Sequence, residues 1–385
     1  MVQHHVILVP GFFGFARFGE ITYFNGVRAA LERSFASLGL SVSVTEVETL
    51  PTASIRSRAA RVLETLVRVT GASDGPVHLI GHSTGGLDAR LAMAPTASLP
   101  TAAKLLDYGR VQTLVSVCCP HFGTPLATYF TRPWGRFQLR LLARYLIFML
   151  QRGRLPLALL LRFGRWVIRA RDPFKKRLGT FDELYTKLLD DLSDERRLEL
   201  VQFLRAISAD DALLFQITPA GCDLLNACTA EPQLRYGSVI ARAHPPTFGT
   251  WIRASWDLYA QLMYPLYAFF HRVCRRGERK FIPELGAPQR EKLLALAVPP
   301  PSEHDSDGVV PTDSQLWGSL VHVANADHLD VVGQYGFRDG VSWAGDWLPS
   351  YSGFDREGFD ALWDDVARFI AGGDPIDDHR ASRTL

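Results

Sequence analysis

One short stretch of the sequence, Val77 to Leu91, holds a serine in a setting that suits nucleophilic chemistry. An apolar run leads into Gly81-His82-Ser83-Thr84-Gly85, and a helical pattern follows at once. A sharp strand-to-helix turn of this G-x-S-x-G type holds a serine hydroxyl above a sheet, where a base can take its proton. The flanking glycines leave room for the turn. We therefore predict that Ser83 is a nucleophile and not an ordinary buried serine.

Two backbone amides are candidates for stabilising the oxyanion that attack by Ser83 would create. The Thr84 amide lies at the start of the predicted helix, near its positive dipole end. A second apolar run, Val6 to Val9, ends in Pro10-Gly11 and an aromatic, Gly-rich loop. The N–H of Phe12 in that loop is the second predicted donor, and the alternative is a hydrophobic loop that only covers the core.

The base and the orienting acid are sought downstream, because a serine on such a turn precedes first the acid and then the histidine along the chain. Asp307 and His328 follow strand-like segments in the C-terminal third and have this order. We predict that His328 takes the Ser83 proton and that Asp307 holds the imidazole. Asp305 and Glu303 share the loop of Asp307 and remain alternatives.

Four other histidines fit the role of base less well. His322 alternates within a strand, and His304 precedes the acid. His82 belongs to the turn, and His121 lies at a strand end, where packing is its expected role.

Composition indicates a globular protein with a sizeable core. The 385 residues are 47% hydrophobic and 21% charged, and the net charge of +2 gives no case for a nucleic-acid partner. Five cysteines without a CxxC pair argue against a disulfide framework or a zinc site. The N-terminus has no secretory pattern, so we expect a cytoplasmic protein with membrane association as an alternative, or a secreted one if a leader has been removed.

Strands and helices alternate up to Cys119, which predicts a parallel sheet with helices on both faces. The predicted strands are Val6–Val9, Ser41–Val47, Val77–Ile80, Val111–Cys119, Leu234–Ala243 and Leu320–Ala324. The predicted helices are Asn25–Leu38, Ile55–Val69 ending at Gly71, the elbow helix to Met93, Thr250–Val273 with a kink at Pro265, Gln289–Ala297 and Gly358–Ala371.

After Thr124, a basic and apolar segment interrupts the alternation of strands and helices. Residues 132–177 contain thirteen Lys or Arg and one acid, a net charge of +12, on helices that are otherwise apolar. Such helices suit a lipid interface, and a structural helical cap with arginines at its solvated edge is the equal alternative. Residues 181–211 are acidic and provide possible internal partners for the basic segment.

Several ordered motifs resemble the family I bacterial triacylglycerol lipases of the α/β-hydrolase superfamily. These are Val6–Phe15, Gly81–Gly86, Pro120–Pro125, Asp307–Val310 and His328–Asp330. The resemblance implies an α/β-hydrolase fold: a mainly parallel central sheet with helices on both faces and a large helical cap insertion. Pro10 and Thr84 depart from the family pattern, and the family's lid disulfide has no counterpart.

The resemblance also implies a division of the chain. The predicted core comprises 1–123, 232–248 and 282–371; the cap comprises 124–231, with a second aromatic cap helix at 249–281; and 372–385 form a polar tail.

The same resemblance implies a structural calcium ion near His328, although the chemistry itself requires no cofactor. Asp330 fits one ligand position, and Gln334 offers a carbonyl. The resemblance implies a second carboxylate upstream of Asp307, and Glu284 and Glu291 are the nearest candidates. The alternative role of Asp330 is to cap the helix that follows His328.

Together these features predict a serine carboxylester hydrolase that cleaves apolar acyl esters or lipids through an acyl-enzyme. A membrane-surface phospholipase or lipid acyltransferase on the same fold is the first alternative. A non-catalytic module that binds a lipid or a protein through its aromatic cap is the second.

Overall fold

A computed structural model describes most of the predicted core and part of the predicted cap. The described residues are 2–12, 17–18, 21–104, 108–139, 212–230, 233–254, 258–276, 281–296, 298–335, 346 and 348–373. The basic and acidic stretches between 140 and 211 lie outside the described residues. So does the predicted tail from 374 onward.

Six parallel strands form the central sheet, as the sequence predicts. Their order is β4-β1-β5-β6-β7-β8, and every neighbouring pair is parallel. The six strands are β1 (Gln3–Val9), β4 (Ser41–Glu46), β5 (Val77–His82), β6 (Val111–Val117), β7 (Arg235–Ala241) and β8 (Ser319–Ala324). Two short strands, β2 (Arg17–Phe18) and β3 (Ile21–Thr22), form a separate antiparallel pair.

Helices connect these strands and cover them. In chain order they are α1 (Val27–Ser37), α2 (Ile55–Ala72), α3 (Thr84–Met93), α4 (Pro125–Thr131), α5 (Ala212–Gln216), α6 (Pro219–Cys228), α7 (Phe248–Ala254), α8 (Leu258–Arg275), α9 (Ala287–Ala295) and α10 (Arg356–Ile370). These bounds agree with the predicted helices to within a few residues, with two exceptions.

The first exception is the end of α2. Ser54 caps its N-terminus by accepting a hydrogen bond from the Ser57 amide. The helix continues through Gly71 to Ala72, so the prediction that Gly71 ends it is wrong. A glycine favours a helix end only when the chain turns there, and here the helix is carried on for one more residue.

The second exception is the aromatic segment, which is described only in part: we predict one helix from Thr250 to Val273, and a single helix there remains a prediction. The structure has α7 and α8 there, with residues 255–257 outside the description, and Pro265 lies inside α8. The aromatic side chains of α8 serve the core, because Tyr264, Tyr267 and Phe270 are buried in one cluster.

Two apolar clusters lie on opposite faces of the sheet. On one face α1 and α10 pack through Leu31, Phe35, Phe359 and Trp363 against the sheet. On the other, α2 and α3 bury Val62, Leu66, Ala89 and Met93. Helices therefore cover both faces, which is the arrangement that parallel strands buried on both sides require.

The sheet directs the carboxyl ends of its strands toward one edge. Strand β5 ends at His82, β7 at Ala241 and β8 at Ala324. The loops that follow these strands carry Ser83, Asp307 and His328, so the topology gathers residues that are distant in sequence. Among the described helices, none is both long and apolar enough to cross a membrane.

Candidate active site

Ser83 lies on a strained turn between β5 and α3. Its backbone has φ 55° and ψ −131°, a region that residues other than glycine rarely occupy. The Ser83 amide donates to the carbonyl of Val117 at 2.9 Å, which fixes the turn to the end of β6. A Cβ on Gly81 would lie 2.5 Å from the backbone of Gly85, so the tight turn requires glycine there.

The three predicted catalytic side chains meet above this turn. His328 Nε2 lies 2.9 Å from Ser83 Oγ, and His328 Nδ1 lies 2.6 Å from Asp307 Oδ2. All three residues are buried. Because a carboxylate only accepts, the Nδ1 proton belongs to the bond with Asp307, and Nε2 is left to accept the serine proton.

Asp307 is held by four donors. Its Oδ1 accepts the amides of Val309 and Val310 at 2.8 and 2.7 Å. Its Oδ2 accepts from His328 and from Gln315 Nε2, the latter at 3.1 Å. The Gln315 side chain is fixed in turn by the Ala241 amide, 2.7 Å from Oε1. The carboxylate therefore has a set position on the far side of the imidazole.

The rival acids lie elsewhere. Asp305 Oδ2 is 3.4 Å from Arg242 and accepts the Ser302 amide at 2.9 Å. Glu303 pairs with His304 at the surface. Of the three carboxylates in this loop, the one that contacts His328 is Asp307.

The remaining histidines also have partners of their own. His322 Nδ1 lies 2.7 Å from Asp365 on α10. His121 is buried, with Nε2 2.9 Å from Ser116 Oγ and its ring stacked on Trp317. Both have the structural settings that the sequence predicts.

The two predicted oxyanion donors flank Ser83. Thr84 is the first residue of α3, so its amide lies at the helix N-terminus. On the other side, the loop after β1 packs directly on the turn, because a Cβ on Gly11 would lie 2.5 Å from the Ser83 Cβ. Phe12 follows in this loop, whereas residues 13–16 lie outside the described part of the chain.

His82 has a larger role than that of a turn residue. Its Nδ1 lies 2.7 Å from the Tyr23 hydroxyl, and its Nε2 lies 2.9 Å from the His328 carbonyl. The Tyr23 hydroxyl also accepts the Gly11 amide at 2.9 Å. Burial lowers the pKa of His82 well below its usual value, so the ring is neutral. Through Tyr23 it connects His328, the predicted base, to residues 10–12, the predicted oxyanion loop.

Comparison with known proteins identifies the fold that carries these residues. No protein-family model matches the chain. Over 126 residues the chain is 32% identical to a triacylglycerol lipase of Pseudomonas fragi, and this stretch is 32% of the chain and 37% of that lipase. A carboxyl esterase from a metagenome superposes with a TM-score of 0.50 and 16% identity, covering 96% of this chain and 75% of the esterase. The chain has the α/β-hydrolase fold.

A lipase of Staphylococcus hyicus is a further structural neighbour, with a TM-score of 0.49 and 14% identity over 98% of this chain and 97% of the lipase. The resemblance to bacterial triacylglycerol lipases that the sequence motifs indicate is confirmed by the match to the Pseudomonas fragi protein. That match spans little more than a third of the lipase's own length.

Beside His328, the chain gathers three carboxylates that suit a hard cation. Oxygens of Asp327, Asp330 and Asp346 lie within 4.8 Å of one another. Asp327 Oδ1 accepts the amides of Leu329 and Asp330, whereas Asp327 Oδ2 is buried without a hydrogen-bond partner. Burial raises the pKa of Asp327 to about 6. An unpaired buried oxygen among carboxylates fits a cation such as calcium, which takes oxygen ligands.

This donor set differs in part from the predicted one. Asp330 belongs to it, but Glu284 and Glu291 are exposed on the surface and the additional carboxylates are Asp327 and Asp346. Gln334 Nε2 donates to the carbonyls of Thr22 and Tyr23, and Gln334 Oε1 is buried without a hydrogen-bond partner among the described residues. The predicted carbonyl ligand at Gln334 remains a prediction.

The alternative that Asp330 caps a helix is wrong. A short 3-10 turn begins at Asp330 itself, and Leu329 precedes it without a side-chain cap. The carboxylate that accepts the amides at this turn is that of Asp327, and Asp330 Oδ2 accepts the Asp327 amide at 2.9 Å.

Proposed function

We propose that the chain is a serine carboxylester hydrolase that cleaves apolar acyl esters. The observation that carries this proposal is the continuous relay from Ser83 Oγ through His328 to Asp307, at 2.9 and 2.6 Å, with Ser83 on a strained turn. The triacylglycerol lipase activity named for the Pseudomonas fragi relative belongs to the same reaction class.

In the first half-reaction, Ser83 Oγ attacks the ester carbonyl carbon while its proton passes to His328 Nε2. The carbonyl oxygen becomes an oxyanion, for which the amides of Phe12 and Thr84 are the donors. The Asp307 carboxylate stabilises the imidazolium that forms. The imidazolium then gives its proton to the departing alcohol, and the acyl group is left on Ser83.

Water completes the second half-reaction. His328 Nε2 takes a proton from a water molecule, whose oxygen attacks the acyl-enzyme, and the carboxylic acid leaves as Ser83 regains the proton. The same base and the same oxyanion donors serve both halves, so no further catalytic side chain is needed.

Apolar side chains beside the relay favour an apolar acyl group. Val309 follows Asp307 by two residues, Leu329 follows His328 directly, and Phe12 carries an oxyanion donor; all three pack on one apolar cluster with α4 and α8. An acyl chain placed there would exchange water for hydrocarbon, at about 0.8 kcal/mol per buried CH₂.

Ester turnover by Ser83→Ala tests the proposal. We expect hydrolysis of a p-nitrophenyl ester to fall by about 10⁴-fold or more, because the nucleophile is lost. Ser37→Ala, an exposed serine on α1, is the matched control and keeps wild-type turnover. Near-wild-type activity in Ser83→Ala would overturn the assignment. A series of acyl chain lengths measured on the wild type then defines the acyl group.

We also propose how the chain is divided and which surface it contacts. In this proposal residues 124–231 and 249–281 form a cap over a core formed by the rest of the chain up to residue 371. Contact with a lipid surface belongs to the basic residues 132–177, most of which lie outside the described residues. Binding of the whole protein to anionic vesicles at low salt tests that contact.

We further propose that Asp327, Asp330 and Asp346 hold a structural calcium ion. Bound there, the ion would neutralise the clustered carboxylates and fix the loop that carries His328. In thermal unfolding, calcium at about 100 times its Kd should raise the free energy of unfolding by about 2.7 kcal/mol, and EDTA should reverse the change. Asp327→Asn should abolish the shift, whereas Asp360→Asn on the surface of α10 should keep it. An unchanged shift in Asp327→Asn would contradict the site.

A further inference from the structure

A buried ion pair lies beside the site without taking part in the reaction described above. Arg58 on α2 and Asp88 on α3 are both fully buried, and Arg58 Nε donates to Asp88 Oδ2 at 2.8 Å. Removing two charges from water is costly, and further hydrogen bonds offset part of that cost. Within the described part of the chain Asp88 Oδ1 has no hydrogen-bond partner, so the further bonds of this pair are made by Arg58. The remaining donors of Arg58 therefore indicate what the pair does.

Those donors are directed at the oxyanion loop. Arg58 Nη2 lies 2.7 Å from the Pro10 carbonyl oxygen and 3.0 Å from that of Gly11. Nη1 donates to the Leu50 carbonyl at 2.6 Å. The guanidinium thus contacts the last two carbonyls before Phe12.

The contact with Gly11 sets the direction of the Phe12 amide. The Gly11 carbonyl and the Phe12 N–H belong to one planar peptide unit, in which the two groups point in opposite directions. A guanidinium on the carbonyl side therefore fixes where the N–H points on the other side. It also polarises the peptide and makes the N–H a stronger donor, because chained hydrogen bonds reinforce one another in a medium of low dielectric.

Asp88 links this arrangement to the other oxyanion donor. It lies one helical turn after Thr84 on α3, and Arg58 Nη2 is also 3.5 Å from the Thr84 hydroxyl. Helix α3 therefore carries both the Thr84 amide and the carboxylate that anchors Arg58. One rigid element sets the position of both donors.

We propose that Arg58, anchored by Asp88, is a positioning residue that aligns the Phe12 amide with the oxyanion. This inference rests on the proposed Ser83 hydrolase and adds a residue to it. Arg58 acts through the backbone and does not contact the substrate.

The test compares Arg58→Ala and Arg58→Lys with Arg61→Ala. Arg61 is exposed on the same helix and pairs with Glu64. Losing a single oxyanion donor costs about 10²–10³-fold in kcat, so a misaligned donor should lower kcat by about 10–100-fold in Arg58→Ala, with KM within about twofold. Arg58→Lys should lose nearly as much, because an ammonium can pair with Asp88 but lacks the planar fork. Arg61→Ala should match the wild type.

Two further readouts separate alignment from mere support of the fold. A boronic acid, whose tetrahedral adduct carries the oxyanion's charge, should bind more weakly by the same factor as kcat falls, while a neutral amide analogue of the substrate binds as before. Guanidinium ion added to Arg58→Ala below its denaturing range should restore part of kcat. It should restore nothing in Ser83→Ala.

Active-site titration with a fluorophosphonate normalises every rate to the amount of folded enzyme. If Arg58→Ala does not fold, Arg58→Lys decides the question. An unchanged kcat per titrated site, or equal weakening of both inhibitors, would overturn the role of Arg58 while the proposed hydrolase stands. Failure of the wild type to label at Ser83 would instead overturn the hydrolase.

Discussion

Strand β5 carries a buried histidine near each end, and the two have different kinds of partner. His78, near the amino end, lies 2.9 Å from the Thr113 hydroxyl and 3.0 Å from His4. His82, at the carboxyl end, contacts Tyr23 and the His328 carbonyl. The two residues are both buried histidines on the same strand, so their different partners follow from their positions along it. The carboxyl ends of parallel strands are where an α/β sheet places its site.

The partners of His82 connect two parts of the site. Because the ring is neutral, its Nε2–H donates to the His328 carbonyl, and Nδ1 accepts the Tyr23 proton. The Tyr23 oxygen then accepts the Gly11 amide. A single chain of hydrogen bonds thus joins His328, the proposed base, to the loop that carries Gly11 and Phe12. His78 has no such connection, and we expect changes around it to affect stability alone.

The largest effect is expected at the carboxyl end, in Asp307→Asn. An amide cannot hold His328 in the tautomer whose Nε2 accepts, so kcat should fall by about 10⁴-fold. Thermal stability should fall as well, because the amide nitrogen cannot accept the hydrogen bonds that the buried carboxylate accepts. Asp305→Asn, in the same loop and paired with Arg242, is the control and should stay within about twofold of wild type. A larger loss at position 305 would mean that the acid is wrongly assigned.

The second-largest effect is expected at His78, near the amino end of β5, as a loss of stability when the pH is lowered. Burial lowers the pKa of His78 to about 3, so the unfolded chain takes up a proton near pH 6.5 that the folded chain refuses. Stability is therefore lost as pH falls from 6.5 toward 3. Between pH 7 and pH 5 the contribution of His78 to this loss is about 2 kcal/mol. In urea unfolding, His78→Gln should show a decline that is smaller by this amount.

His304→Gln, at an exposed histidine, is the control for that measurement and should decline as the wild type does. Equal declines in wild type and His78→Gln would show that His78 does not contribute to the loss of stability in acid. Turnover of His78→Gln at pH 7 should match the wild type, in keeping with the contrast between the two ends.

The smallest effect is expected for Tyr23→Phe, which breaks the hydrogen-bond chain without changing the shape of the site. Two buried groups, the Gly11 amide and His82 Nδ1, lose their partner. Leaving a buried polar group unpaired costs about 1–3 kcal/mol of free energy. If part of this cost raises the free energy of the transition state, kcat should fall by about tenfold. Thr113→Val removes the equivalent partner of His78 and should lower the melting temperature without changing kcat. Equal effects on kcat from both variants would remove the distinction between the two ends.

The sequence predicts those parts of the site whose signals are local. The turn around Ser83, the order of Asp307 and His328, and the parallel sheet all follow from short motifs and periodicity, and the structure brings those three side chains together. The end of α2 was not predictable from Gly71, because the local preference of a glycine is weak and the helix continues one residue past it.

Other parts depend on contacts between distant residues. Arg58 looks like a solvated residue of an amphipathic helix, yet it is buried against a loop 48 positions away in the chain. Gln315 holds Asp307 only because the register of β7 places Ala241 beside it. Of the residues that the sequence analysis missed, Asp327 was the easiest to predict, because a carboxylate directly before His328, the predicted base, is itself a signal.

The central claim is that Ser83 is the nucleophile activated by His328. Labelling with a fluorophosphonate, followed by mass spectrometry of the tryptic peptide 69–90, tests it most directly. The account predicts one adduct, on Ser83, whose rate of formation collapses in His328→Ala together with ester turnover. An adduct on another residue, or ester turnover that persists while Ser83 stays unlabelled, would contradict it.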